Sequence, residues 1–250
     1  MEELIFVGTS SGKTDAIRFH SSLFFRTENY GLLIDAGDGI AKGLLNAGID
    51  FDEIDGVVIT HTHADHFAGL ASLVTQMIID GRKKSFQIFI FNDYQKQLLD
   101  FLNLAVLFPE TFSFDLRIKG FEFGIENNIA GSLSFLARQN SHVVNKRKVE
   151  TDFPFASASI FLNAGKHGVV YTSDVGNAKD LRLFDDLTYD IFISECEHIK
   201  PKDIANFSKT KKDVSFFITH YTDAEEIRRA FSHSSFKIAY DKLKINPNKI

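Results

Sequence analysis

Val57-Val58-Ile59-Thr60-His61-Thr62-His63-Ala64-Asp65-His66 is the stretch on which the reading of the fold turns. An apolar run with the character of a buried strand breaks off into three histidines and an aspartate within six residues. Their spacing is such that no single regular element could point all four side chains the same way. A sharp strand-to-helix turn could, with the helix beginning near Asp65. Imidazole and carboxylate are the ligands that suit zinc and similar divalent metals. A solvated polar turn carries one or two histidines by chance. Three in six residues, at the end of an apolar strand, point instead to half of a metal site.

The composition surrounding that stretch is that of an ordinary globular protein. At 250 residues the chain is long enough for one large domain, 1–250, with a substantial core. Hydrophobic residues make up 44% and charged residues 24%, which excludes a disordered or fibrous class. Phenylalanine is abundant (26) and tryptophan absent, so a heavily aromatic core is expected. The one cysteine, Cys196, excludes an internal disulfide framework and fits a reducing, cytoplasmic setting. The Met1-Glu2-Glu3 start lacks the basic opening of a signal peptide. No apolar stretch approaches the roughly 20 residues that span a membrane. A net charge of −5 argues against a generally basic nucleic-acid surface while leaving room for a local basic patch.

Working outward, strands are expected at residues 4–7, 22–27 and 31–34, the last two forming a hairpin. The Gly12-Lys13-Thr14 run lacks the spacing of a phosphate loop, because Gly8 stands four residues before Gly12 where five are needed. The third strand ends in Asp35-Ala36-Gly37-Asp38-Gly39, which reads either as a floor to the metal site or as a turn with a helix cap at Asp38. Helical spacing over residues 40–47 is closed by Gly48. Beyond the histidine cluster a helix is expected over 67–79, a strand over 86–91 and a helix over about 94–107. Such alternation indicates layered α/β architecture. Residues 108–139 read as strand and turn, with Phe112, Phe114, Phe121, Phe123 and Phe135 spaced for buried faces. A strand over 137–142 exposes His142 at its end, followed by a charged loop with Lys146, Arg147 and Lys148. A hairpin spans 157–172 and runs into Ser173-Asp174. A helix over 178–187, a strand ending in Glu195-Cys196-Glu197-His198, and a strand running into Ile218-Thr219-His220 come next. That last triplet repeats Ile59-Thr60-His61, so two buried strands each release a histidine in the same way. A helix over 223–231 and short strands near 237–239 and 243–245 complete the chain. Two sheets packed face to face, sharing one site along an edge, fit this pattern.

His61-x-His63-x-Asp65-His66, followed by Gly69-Leu70, resembles the signature of the metallo-β-lactamase fold hydrolases. The order of the later motifs extends the resemblance over nearly the whole chain. It implies a four-layered αββα sandwich of two mixed sheets with helices outside. It also implies two divalent metal ions, zinc first, with manganese or iron admitted by the same donors. One ion takes His61, His63 and His142, the other Asp65, His66 and His220, and Asp174 bridges them. Histidine at position 63, where the flavodiiron oxidoreductases of the fold carry glutamate, favours a hydrolase.

The implied chemistry is attack on an ester by a metal-bridging hydroxide. Asp65, which is also a metal ligand, and His198 are the candidate catalytic residues. His198 is the candidate general acid, with Glu195 or Glu197 holding its imidazole protonated. Cys196 is not needed as a nucleophile, and His20, His167 and His233 are expected to be structural or solvated. The Phe6-Val7-Gly8-Thr9 opening, the 35–39 turn and the Ala239-Tyr240-Asp241 finish are similar to the phosphodiesterase branch. That branch includes ribonuclease Z, cyclic-nucleotide phosphodiesterases and the cyclic-phosphate phosphodiesterase associated with carbon–phosphorus lyase. A long basic arm for transfer RNA and a Gly-His-Ser/Thr motif, both expected of ribonuclease Z, are missing. The expected substrate is therefore a small or cyclic phosphate ester rather than a nucleic acid, and the resemblance favours a homodimer. Two other readings stay open: a thioester or lactone hydrolase of the same fold, and a metal-binding regulatory protein without turnover.

Overall fold

The structure, a computed structural model, describes residues 3–144, 151–232 and 235–249. Six strands build most of the first sheet: β1 (Glu3–Gly8), β2 (Ser22–Arg26), β3 (Gly31–Ile34), β4 (Gly56–Val58), β5 (Phe86–Phe91) and β6 (Leu116–Phe121). The second sheet runs in chain order through β7 (Glu126–Ala130), β8 (Leu133–Gln139), β9 (Ala158–Ala164), β10 (His167–Tyr171), β11 (Ile191–Glu195), β12 (Ser215–Thr219) and β13 (Lys237–Ile238). A last strand, β14 (Lys244–Ile245), returns to the first sheet and pairs with β1. Each sheet begins with antiparallel hairpins and ends in parallel strands. Parallel neighbours need crossovers, and the helices supply most of them.

Period-two alternation dictates the layers. In β1, Leu4 and Phe6 face the second sheet, where they join Phe135, Ile160, Tyr171 and Phe217 in a core between the sheets. Ile5 and Val7 face the other way, against α1 (Ile40–Ala47) and its neighbours. Across β11 and β12, Phe192, Phe216 and Ile218 likewise point outward to Ile204, Phe207 and Ile227 of the outer helices. Three cores between four layers make the αββα sandwich expected from the sequence. Among the described residues no helix is long and apolar enough to cross a membrane.

Several local expectations change. The helix expected over 67–79 is split into α2 (Ala64–Phe67) and α3 (Leu70–Ile79). The break at Gly69 brings the chain against Gly37, and a Cβ at Gly69 would lie 2.0 Å from the Gly37 carbonyl oxygen. The cap of α1 is Gly39, without a side-chain hydrogen bond, and not Asp38. After α4 (Gln95–Leu104), the segment expected as a helix over 178–187 is a 3₁₀ turn, Ala178–Arg182, capped by Asn177. An unexpected helix, α5 (Pro201–Ser208), joins β11 to β12, with Pro201 at its first turn where a missing N–H costs nothing. The expected helix over 223–231 is α6 (Ala224–Ala230), and Asp223 caps it.

Candidate metal centre

Strand β4 stops at Val58, and the chain turns through His61 and His63 into α2, which begins at Ala64. The 35–39 turn clamps this corner. The Asp35 carboxylate accepts the Thr60 amide (2.8 Å) and the Thr60 hydroxyl (2.9 Å). It also accepts His66 Nδ1 at 2.7 Å. The Ala36 amide donates to the His66 carbonyl, and the Gly69 amide to the Ala36 carbonyl. Asp35 is fully buried with φ 64°, a left-handed conformation that a non-glycine residue holds only under tertiary constraint. The floor reading of this turn is thus the one the structure supports.

The second sheet presents its side chains from separate strand ends. His142 follows β8, Asp174 follows β10, and His220 follows β12. Ser173 (φ 50°) and His220 (φ 49°) are also left-handed, so the chain bends sharply where it releases them. Two groups result. Ligand atoms of His61, His63, His142 and Asp174 lie within 4.8 Å of one another, and so do those of Asp65, His66, Asp174 and His220. All seven residues expected at the site come together, with Asp174 common to both groups.

Hydrogen bonds decide which nitrogens face inward. The Thr60 hydroxyl gives its proton to Asp35, so towards His61 Nδ1 (3.1 Å) it accepts. The Ser21 hydroxyl gives its proton to the Ser10 carbonyl, so it accepts from His220 Nδ1 (3.1 Å). Asp35 accepts from His66 Nδ1. Each Nδ1 is thus the protonated nitrogen, and each Nε2 turns towards the cluster. His66 Nε2 and His220 Nε2 stand 3.2 and 3.1 Å from Asp174 Oδ1, all three buried and without hydrogen-bond geometry among themselves. Nitrogens of His61 and His142 converge on His63 Nδ1 at 3.1 and 3.2 Å. Lone pairs crowded this closely fit a cation between them, and outer partners that fix the tautomer are what metal-ligating histidines require.

Charge follows the same division. Burial, then the neighbouring His66, pushes the His61 pKa well below its ordinary value, which keeps the ring neutral as a ligand must be. Without an ion, burial opposes the charge on His66, but Asp174 and Asp35 outweigh it and raise the pKa well above the usual range, so an ion at Nε2 would displace a proton there. Burial alone would raise Asp174, yet His220 and His66 hold it well below an ordinary carboxyl. Asp65 is lowered too, against burial, by its hydrogen bond and proximity to His66.

His198 sits at the mouth, with Nδ1 3.7 Å from Asp174 Oδ2 and 3.5 Å from Glu195 Oε2. Its ring stands edge-on to His142, 4.5 Å between centroids. Glu195 is fully buried, and its Oε2 accepts the amides of Glu197 (2.6 Å) and His198 (2.9 Å). It therefore fixes the turn that carries His198. Glu197, the other expected partner, instead accepts the Thr222 amide. Cys196 is buried between them, and burial followed by Glu195 pushes its thiol up to about 12. His20 Nδ1 donates to the Ser11 carbonyl at 2.8 Å. His167 lies between Asp190 and Asn248. Both are structural, as expected. His233 and the Lys146, Arg147 and Lys148 loop lie outside the described residues. The hydroxyls of Thr60, Ser173 and Ser21 were not expected from the sequence, since serine and threonine at strand ends carry no distinctive spacing.

Comparison with known proteins agrees with this geometry. A curated relative, the anti-Pycsar protein Apyc1 of Bacillus phage BSP38, is 29% identical over 249 residues, covering 88% of this chain and 89% of the relative. Ribonuclease Z of Thermobifida fusca is 38% identical over 79 residues, 32% of this chain and 25% of that enzyme. Among solved structures, the metallo-β-lactamase fold protein YhfI of Bacillus subtilis superposes with a TM-score of 0.77 at 19% identity, covering 97% of this chain and 98% of that one. The resemblance to the phosphodiesterase branch of the metallo-β-lactamase fold is thereby borne out. The model of the family described as anti-Pycsar protein Apyc1 matches residues 2–230, and the chain belongs to that family.

Proposed function

We propose that this chain is a dinuclear metal-dependent phosphodiesterase that acts on a small or cyclic phosphate ester. The observation that carries the proposal is the pair of His/Asp groups meeting on Asp174. The enzyme class, a metal-dependent phosphoric diester hydrolase, is in line with the family and the ribonuclease Z relatives. His61, His63 and His142 would hold one ion, Asp65, His66 and His220 the other, and Asp174 both. When bound, such ions supply a water-derived nucleophile near neutral pH and offset charge on a phosphoryl oxygen. Zinc comes first, with manganese and iron compatible with the same donors. Thr60, Ser21 and Asp35 hold the rings in the ligating tautomer. Glu195 Oε2 and Asp174 Oδ2 stand 3.5 and 3.7 Å from His198 Nδ1, and its Nε2, on the far side of the ring, hands a proton to the leaving oxygen.

The test is a set of initial rates on metal-quantified protein, with bis(p-nitrophenyl) phosphate and 3′,5′-cyclic nucleotides beside an S-acyl thioester and a lactone. Turnover confined to the diesters, and lost in His63→Ala together with bound metal, is the expected result. Turnover of the thioester or lactone alone would overturn the substrate class and leave the metal centre standing. Silence on every substrate with both ions bound would overturn the catalytic reading itself.

A further inference from the structure

At one edge of the sandwich the chain's last segment builds a feature that the hydrolytic reading does not use. Strands β13 and β14 are the outermost strands of the two sheets, and both lie on the same side of the sandwich. A groove of about 570 Å³ runs between them. Its floor is apolar, made by Phe217, Ile238 and Leu243. Its rim carries Lys237, Lys244 and Lys249, with Lys242 adjacent in the chain. All four lysines are exposed, on a chain whose net charge is −5. The one carboxylate in this stretch, Asp241, is turned away, accepting from the Thr9 hydroxyl and the Phe19 amide. These lysines form a local basic patch on a chain of net negative charge.

We propose that this groove is a docking site for an extended acidic peptide with apolar anchor residues. Three properties meet in it. An outermost strand offers main-chain donors and acceptors to a further strand, which an extended peptide supplies. An apolar floor accepts alternate side chains of such a peptide, since they fall on one face. A cationic rim attracts its acidic residues on the opposite positions. A nucleic acid would use the lysines but neither the strand edges nor the aliphatic floor, and the segment exposes a single aromatic ring for stacking, Tyr240. Lysines on short edge strands also discourage pairing between copies of a protein. That role alone predicts no binding.

The test is fluorescence anisotropy on the full chain with a labelled peptide alternating glutamate with valine and phenylalanine. A peptide with lysine in place of each glutamate and a labelled oligouridylate serve as the other two probes. Saturable binding of the acidic peptide is expected, weakened at least tenfold in Lys237→Glu/Lys244→Glu/Lys249→Glu and by added salt. The lysine peptide and the oligouridylate should bind at least tenfold more weakly than the acidic peptide. The substituted side chains are exposed and none belongs to the metal centre, so the melting temperature and diester hydrolysis of the variant should match the parent. Ile238→Asp, in the floor, provides a second variant and should weaken binding without charge reversal at the rim. Absence of saturable binding, equal binding of the lysine peptide or the oligouridylate, or binding unchanged in both variants would overturn the proposal.

Discussion

The two halves of the centre are assembled in different ways. One half is contiguous: His61, His63, Asp65 and His66 occupy a single strand-to-helix corner. The other half is scattered, with His142, Asp174 and His220 brought from the ends of three different strands. Their outer supports differ as well. In the contiguous half a buried carboxylate, Asp35, grips both the backbone and the His66 ring. In the scattered half, His220 rests on a neutral hydroxyl, Ser21. The contrast teaches that a local motif can announce a site, while the common direction of β8, β10 and β12, which release their ligands at the same end of the second sheet, is what completes it. Asp174 is the one side chain on which both halves depend.

The comparison breaks most sharply at Asp174. Asp174→Asn should lower diester hydrolysis by at least about 10³-fold and reduce ion occupancy in both groups, because a residue shared by a unit disables the whole unit. His63→Ala should strip the first group preferentially, which elemental analysis of the two variants would separate. A smaller loss is expected at the mouth. His198→Ala should reduce kcat about 10²-fold, as for loss of a general acid, with metal content unchanged. A fall in metal content would make His198 a ligand instead. The supports come next. Asp35→Asn should cost roughly 10–100-fold in metal affinity or rate, the usual range for an outer partner of a ligand. Ser21→Ala should cost less, since a charge-assisted hydrogen bond is stronger than a neutral one. Equal costs would remove the distinction between the halves.

The smallest effect on hydrolysis is expected at Cys196. With its thiol pushed up to about 12 from a reference of 9.0, its thiolate fraction at pH 8 is about a thousandfold lower than that of an unperturbed thiol. Alkylation by iodoacetamide in the native state should be slower by at least that factor than in the unfolded chain. It should rise about tenfold per pH unit through pH 10, because the titration lies above that range. Cys196→Ser should retain full hydrolytic activity, and a large loss would give the thiol a role it has not been assigned.

The contiguous half was legible because its chemistry lies in adjacent letters at the end of an apolar strand. The strands were legible as apolar runs such as Leu4 to Val7, but with every residue apolar the run does not say that Leu4 and Phe6 face one layer and Ile5 and Val7 the other. His142 and Asp174 became readable only through family resemblance, since one histidine or aspartate at a strand end carries no signal of its own. Some features stayed hidden. The break at Gly69 depends on a close approach to Gly37, a contact across 32 positions of sequence that no local pattern records. Glu195 was read as a partner for an imidazole, and the structure shows it also gathering backbone amides, which any buried acceptor can do. Helix α5 was missed although Pro201 marks its start.

The most direct measurement is a metal titration of chelator-stripped protein, following diester hydrolysis against ion equivalents bound per chain. Two groups sharing Asp174 predict activity that climbs only as the second equivalent binds. Full activity at one equivalent, or with none, would contradict a dinuclear centre.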